Sequence, residues 1–214
     1  MIPLSEELVF PDPHLANDEG WLAYGGDLSP ERLLLAYSQG IFPWFGFRMH
    51  EEIQWYCPME RFVIFPNEIH ISHSMRTLIN KGTYSITVNL AFDDVIEYCA
   101  ALRIHEWGAW LGPQMIQAYK LMHQLGHATS YEVWNKSGDL VGGLYGITLK
   151  GCFFGESMCS LVPNASKLAL ITLAQHMQKN GGKLIDCQFE TRSEERRVGK
   201  ECYGRCRSRW SPYH

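Results

Sequence analysis

Apolar positions three and four apart, the mark of one buried helix face, recur along this chain. The first such stretch follows Ser29, an N-cap, with Pro30 at the first helical position and Glu31 in the first turn; it carries Leu33, Leu34 and Tyr37 and stops at Gly40. A second is built on Phe92, Val95, Ile96 and Cys99. A third is built on Met115, Ile116, Tyr119, Met122 and Leu125, opened by Pro113 and closed by Gly126. Ser72 to Lys81 reads as a short helix ended by Gly82, and a helix capped by Asn164 or Ser166 runs to about Gln178 before Gly181-Gly182 breaks it. Strand patterns cover Arg61 to Phe65, Tyr84 to Val88, Ser130 to Trp134, Leu140 to Ile147, Cys152 to Met158 and Lys183 to Phe189, and Asn135 to Asp139 is a hairpin signal. The aromatic runs Ile41 to Phe45 and Ile53 to Tyr56 have neither the length nor the alternation of good strands.

From about residue 60 the order is strand, helices, three antiparallel strands, helix, strand, which predicts an α+β domain behind a small N-terminal one. The boundaries predicted are 1–59, 60–191 and 192–214. At 214 residues, 46% hydrophobic and 20% charged, the chain has an ordinary globular balance. No window approaches the roughly 18 to 20 consecutive apolar residues of a membrane span, and Met1 to Asn17 lacks the basic start and apolar middle of a signal peptide, so a cytoplasmic protein is expected. The cysteines at 57, 99, 152, 159, 187, 202 and 206 read as buried thiols in a reducing compartment. Cys202 and Cys206, four apart, are too few for a structural zinc site, and no metal is expected.

Charge changes the picture in one respect. The net charge is −4, but Arg192 to His214 holds seven basic and three acidic residues, which leaves twelve basic against twenty acidic in 1–191. A body this acidic binds nucleic acid only through a local patch, because phosphate contacts supply most of the non-specific affinity.

Three groups of segments go beyond fold class. They are Gly25-Gly26-Asp27-Leu28-Ser29 leading to Gly40-Ile41-Phe42-Pro43-Trp44-Phe45; Gly142-Gly143-Leu144-Tyr145-Gly146 with Phe154-Gly155-Glu156-Ser157-Met158; and Asn164-Ala165-Ser166-Lys167 with Leu184-Ile185-Asp186-Cys187-Gln188. In this order and spacing the chain resembles the leucyl/phenylalanyl-tRNA–protein transferase family across about Trp21 to Thr191. The resemblance implies a GNAT-like acyltransferase domain with a mixed, largely antiparallel sheet. It also implies transfer of Leu or Phe, with Met as a further donor, from aminoacyl-tRNA to the N-terminal Arg or Lys of proteins, which marks them for degradation. A monomer is implied as well.

The same resemblance places Leu144, Gly155, Glu156, Ser157, Met158 and Ile185 around the aminoacyl side-chain pocket or its mouth, and Trp44 and Trp110 at the terminal adenosine of the tRNA. Glycines that open a space and a flexible Met that lines it suit such a pocket. Stacking on aromatic rings suits a universal CCA end, at roughly 1–3 kcal/mol per base. Leu111-Gly112-Pro113 departs from the family, in which Thr or Ser follows an Ile. Asp186 and Gln188 alternate on one predicted strand and so share a face, with Cys187 on the other. The resemblance makes Asp186 and Gln188 the catalytic pair, against a structural salt bridge for Asp186; Cys187 reads as a buried thiol.

The donor ester is already activated, so no ATP, metal or coenzyme is needed. An acyl-CoA-dependent N-acyltransferase is the alternative enzyme, but Val162 to Lys167 lacks the Gln/Arg-x-x-Gly-x-Gly/Ala turn that cradles a pyrophosphate. A non-catalytic tRNA-binding module is the other alternative, and it leaves Asp186 and Gln188 without a task. Residues 192–214 resemble a translated sequencing adapter, so a non-native tail is expected after Thr191, where the family pattern would continue.

Overall fold

The structure, a computed structural model, describes residues 2–44, 52–102 and 111–189 together with the backbone of Gly204–Arg207. Local sequence signals set most of its elements. The N-terminal unit holds β1 (Ile2–Leu4), β2 (Trp21–Gly25), α1 (Pro30–Ser38), β3 (Phe42–Trp44) and β4 (Gln54–Tyr56). Ser29 caps α1 by accepting from the Arg32 N–H, and Gly40 ends it with a φ of 76°, a left-handed turn that glycine adopts without penalty. The second unit runs β5 (Glu60–Ile64), α2 (His73–Asn80), β6 (Ser85–Val88), α3 (Phe92–Ala101), α4 (Pro113–Gln124), β7 (Ala128–Trp134), β8 (Leu140–Leu149), β9 (Cys152–Ser160), α5 (Ala165–Lys179), β10 (Leu184–Asp186) and β11 (Gly204–Arg207).

Its sheet has the order β11-β5-β10-β9-β8-β7-β6. The β7–β8–β9 meander is antiparallel as the sequence predicts, β10 lies parallel to β9, and β5 runs antiparallel to β10. A parallel neighbour requires a crossover, which α5 supplies. The fold is therefore α+β with a mixed, largely antiparallel sheet.

Four expectations change. The aromatic runs do form strands: β3 pairs with β4 in a sheet ordered β1-β2-β4-β3, and Pro43 is tolerated because β3 is the edge. Asn164 precedes α5 but caps nothing with its side chain; it sits at φ 72°, and Ser166 lies inside the helix with its N–H on Ser160 Oγ. The strand predicted for Lys183 to Phe189 ends at Asp186, and Gln188 turns to φ 64°. Finally, the positions that Cβ atoms would take at Gly142, Gly143 and Gly146 are filled by Ala165, by Val95 with the Tyr131 carbonyl, and by the Phe153 ring. Those glycines admit close packing rather than opening a pocket.

Apolar side chains cover both faces of the sheet. On one face, Tyr145, Ile147, Phe154 and Cys159 pack with α3, α4 and the N-terminal Leu22, Leu33, Tyr37 and Trp55 in a continuous core. On the other, Leu144, Phe153 and Ile185 pack under α5. Residues 190–203 and 208–214 lie outside the described residues, so of the expected tail only the pairing of β11 with β5 is seen.

Candidate active site

Strand β9 carries an extra residue. Tyr145 pairs with Ser157 and Gly146 with Gly155, so Glu156 is left over as a β-bulge. A bulge breaks alternation, and it puts Glu156 and Ser157 together on the face toward α1 and α4, whereas Met158 returns to the α5 side. Glu156 is buried, and three side chains from distant elements meet its carboxyl at hydrogen-bond distance. The Tyr37 hydroxyl of α1 lies 2.8 Å from Oε1, the Tyr119 hydroxyl of α4 lies 2.7 Å from Oε2, and Gln188 Nε2 donates to Oε1 at 2.9 Å. The two tyrosine oxygens are themselves 2.6 Å apart. Burial pushes the Glu156 carboxyl up to about 7, with the Asp186 charge adding and the tyrosine hydrogen bonds and Arg61 opposing. Burial first, then the Glu156 charge, pushes both tyrosine hydroxyls well above their ordinary range.

Beside this cluster, Asp186 at the end of β10 meets Arg61 of β5. Arg61 Nη2 and Nε donate to Oδ2 at 2.7 and 3.2 Å, and Nε also reaches Oδ1 at 3.3 Å. Both side chains are buried, so the structural ion pair weighed for Asp186 is present. The backbone N–H of Gln188 donates to Asp186 Oδ1 at 2.8 Å. This bond turns the chain out of the strand at Gln188, and it replaces alternation as the reason that the two polar side chains sit together. Arg61 Nη1 also donates to the Gly40 carbonyl at 2.9 Å, and the guanidinium lies 5.0 Å over the Phe42 ring. One arginine thus fastens the N-terminal unit to the candidate acid.

Aromatic rings adjoin the polar group. Trp44 lies 5.1 Å from Phe189 and 5.2 Å from Tyr56, and Phe42 lies 5.6 Å from Phe189. Trp44 is half-buried, which leaves part of the indole accessible. Trp110 lies outside the described residues.

Of the expected pocket residues, Glu156 and Ser157 face α1 and α4, while Leu144, Met158 and Ile185 face α5, and Gly155 is half-buried between them. The parallel register of β9 and β10 ends at Phe154 opposite Asp186. Beyond that point the two strands part, and the backbone edge of β9 from Gly155 onward has no strand beside it on that side among the described residues. Cys187 is half-buried against the α5 core. A separate cleft of about 960 Å³, lined by Gly25 to Leu28, Ile53, Asp93 and one side of α4, contains none of the expected site residues. Among the described residues no group of three or more His, Cys, Asp or Glu is arranged to hold a metal, and no helix is long and apolar enough to cross a membrane.

Sequence reasoning missed Tyr37, Tyr119, Arg61 and Phe189 as members of the site. Both tyrosines fall on apolar helix faces and read as core. The available signal was chemical: a tyrosine buried on such a face needs a partner for its hydroxyl.

Similarity to known proteins follows the same lines. The family model for the leucyl/phenylalanyl-tRNA protein transferase matches residues 63–205, and that for the N-terminal domain of the same proteins matches residues 26–59. The transferase of this name from Desulforapulum autotrophicum is 50% identical over 189 residues, which cover 88% of this chain and 81% of that protein. The one from Pectobacterium atrosepticum is 51% identical over 185 residues, 86% of this chain and 77% of that protein. Among solved structures, FemX aligns with a TM-score of 0.48 at 9% identity, over 75% of this chain and 60% of its own. L-PGS from Bacillus licheniformis aligns with a TM-score of 0.45 at 14% identity, over 81% of this chain and 54% of its own. With a family model spanning most of the sheet domain and half-identical relatives covered over more than three quarters of their length, this chain belongs to the leucyl/phenylalanyl-tRNA–protein transferase family.

Proposed function

We propose that this protein transfers Leu or Phe from aminoacyl-tRNA to the N-terminal Arg or Lys of an acceptor protein, in the cytoplasm and as a monomer. The observation that carries this reading is the convergence of Asp186, Gln188 and Glu156 where β9 and β10 part, beside the Trp44 and Phe189 rings. An acyl-transfer site needs this set of features: an aromatic support for the nucleotide end, an unpaired backbone edge for the oxyanion and polar groups that hold an amine.

The reaction is aminolysis of an ester. An α-amino group with a pKa of about 7.7–8.0 is partly neutral at pH 7, so positioning supplies much of the rate. The amine nitrogen attacks the ester carbonyl carbon; the bond to the ribose oxygen breaks, the nitrogen sheds a proton and the ribose oxygen gains one. Asp186, held by Arg61 and by the Gln188 N–H, supplies a fixed negative charge for the developing ammonium, and Gln188 orients the amine. Backbone N–H groups on the open edge of β9 receive the oxyanion. Gly155 and Met158 of β9 with Ile185 of β10 contribute the wall for the donor side chain, Leu144 and Ser157 support it, and Trp44 with Trp110 holds the terminal adenosine. Residues 192–214 are not native sequence in this reading.

Labelled leucine offered as Leu-tRNA to a peptide beginning with Arg, in parallel with labelled acetyl-CoA, tests the proposal. Transfer from the tRNA alone is the expected result. Transfer from acetyl-CoA supports the acyl-CoA enzyme instead, and tRNA binding with no transfer supports the binding module.

A further inference from the structure

Glu156, Tyr37 and Tyr119 form a closed triangle of side chains: 2.8 Å from the Tyr37 hydroxyl to Oε1, 2.7 Å from the Tyr119 hydroxyl to Oε2 and 2.6 Å between the two hydroxyls. Each edge of the triangle is at hydrogen-bond length, so each needs a hydrogen. Two hydroxyls supply two hydrogens. An ionised Glu156 takes both and leaves the 2.6 Å Tyr37–Tyr119 contact with none of its own. A protonated Glu156 closes the ring: its hydroxyl donates to Tyr119, Tyr119 donates to Tyr37, and Tyr37 donates back to the other carboxyl oxygen. We infer that Glu156 works as a neutral carboxylic acid, the third proton donor of a ring that fastens α1 and α4 to the bulge of β9, and that ionising it loosens the transfer site.

The surroundings agree. Tyr37 comes from α1, Tyr119 from α4, Tyr145 from β8 and Asp186 from β10; Arg61 of β5, already paired with Asp186, brings the one positive charge among these neighbours, and burial outweighs both it and the tyrosine hydrogen bonds that favour the anion. Burial pushes Glu156 up to about 7, so the ring holds its proton below neutral pH. Through Oε1 the ring also receives Gln188 Nε2, which makes Glu156 a positioning residue for the amide assigned to the amine. This inference deepens the transferase reading and rests on it for its kinetic consequence, but the proton count does not depend on it.

The sign of the pH effect follows. The folded state keeps the Glu156 proton from the ordinary carboxyl value of 4.5 up to about 7, whereas the unfolded chain releases it near 4.5. Stability is therefore lost as pH rises through that window, by on the order of a hundredfold in the folding constant, and the loss is complete above it. Glutamine at this position offers an N–H where the acid has its O–H, so Glu156→Gln mimics the protonated ring at every pH.

Urea unfolding of the parent and of Glu156→Gln between pH 4.5 and 8.5 tests the ring without reference to activity. The expected result is a parent that weakens across the window and a variant that does not, so that the variant is the more stable above pH 7. A carboxylic-acid carbonyl band in the infrared difference between parent and variant at pH 6 is expected as well. A variant less stable than the parent at pH 8, or no such band, overturns the inference. Single-turnover transfer adds the kinetic readout: the parent's rate bends over near pH 7, while the variant's, at whatever height it starts, keeps rising through the titration of the acceptor amine. A parent that transfers nothing overturns the transferase reading and leaves the unfolding result to decide the ring.

Discussion

Strand β9 has two faces that use the same backbone for different ends. Toward α5, Phe153 and Met158 join Leu144, Ile185, Leu170 and Leu173 in an apolar layer. Toward α1 and α4, one extra residue turns Glu156 inward, and a carboxyl, two phenols, an amide and an ion pair pack where a hydrocarbon core would otherwise be. The apolar face stabilises by area removed from water, in any arrangement that excludes it. The polar face depends on geometry, because a half-satisfied buried network costs more than an apolar one. Substitutions on the first face should therefore act through stability, and those on the second through rate or pH dependence.

Asp186→Ala is the strongest test of that contrast. It removes the fixed charge and also strands the buried Arg61, so we expect single-turnover transfer to fall by two or more powers of ten, roughly 3 kcal/mol, and unfolding to become easier by about 3–5 kcal/mol. Near-normal turnover in a folded variant would remove the catalytic role of the polar face. Leu173→Ala samples the other face, at a buried site in the apolar layer of α5. Its unfolding free energy should drop by about 2–5 kcal/mol while the rate per folded molecule holds, and a rate loss beyond the unfolded fraction would mean that the faces are not separable.

Two smaller effects sharpen the boundary between the faces. Met158→Ala, half-buried on β9 beyond its parting from β10, should lower the specificity constant for Leu-tRNA more than for Phe-tRNA by roughly 1–3 kcal/mol. Equal losses for the two donors place Met158 outside the pocket. Trp44→Ala should weaken binding of an aminoacyl-adenosine by roughly 1–3 kcal/mol and leave the urea midpoint less affected than Leu173→Ala does. Unchanged affinity would move the adenosine elsewhere.

Most elements were legible because their signals are local. Ser29-Pro30 before α1, the three-and-four spacing of α3 and α4, and the hairpin at Asn135 to Asp139 each lie within one element or one turn. β3 and β4 were missed because three-residue strands show no alternation, and pairing with neighbouring strands, β3 with β4 and β4 with β2, is what defines them. The end of β10 was missed because a tertiary arrangement decides it: Asp186 takes the Gln188 N–H while Arg61 holds the carboxylate in place. Motifs therefore brought Glu156, Asp186 and Gln188 into view, but nothing local joins Arg61 to Asp186 at a separation of 125 residues, or Tyr37 to Tyr119 at 82.

Those separations also order events during synthesis. Tyr37 precedes Glu156 by 119 residues, so at about 5–20 residues per second the ribosome adds the partner roughly 6 to 24 s after the tyrosine. Through the first part of that interval, until Tyr119 follows 82 residues after it, the Tyr37 hydroxyl has neither of its final partners. Loop-closure entropy further delays such distant contacts. The candidate site is thus assembled late: Asp186 and Gln188 can join Glu156 only once α5 and the central strand β10 have followed β9.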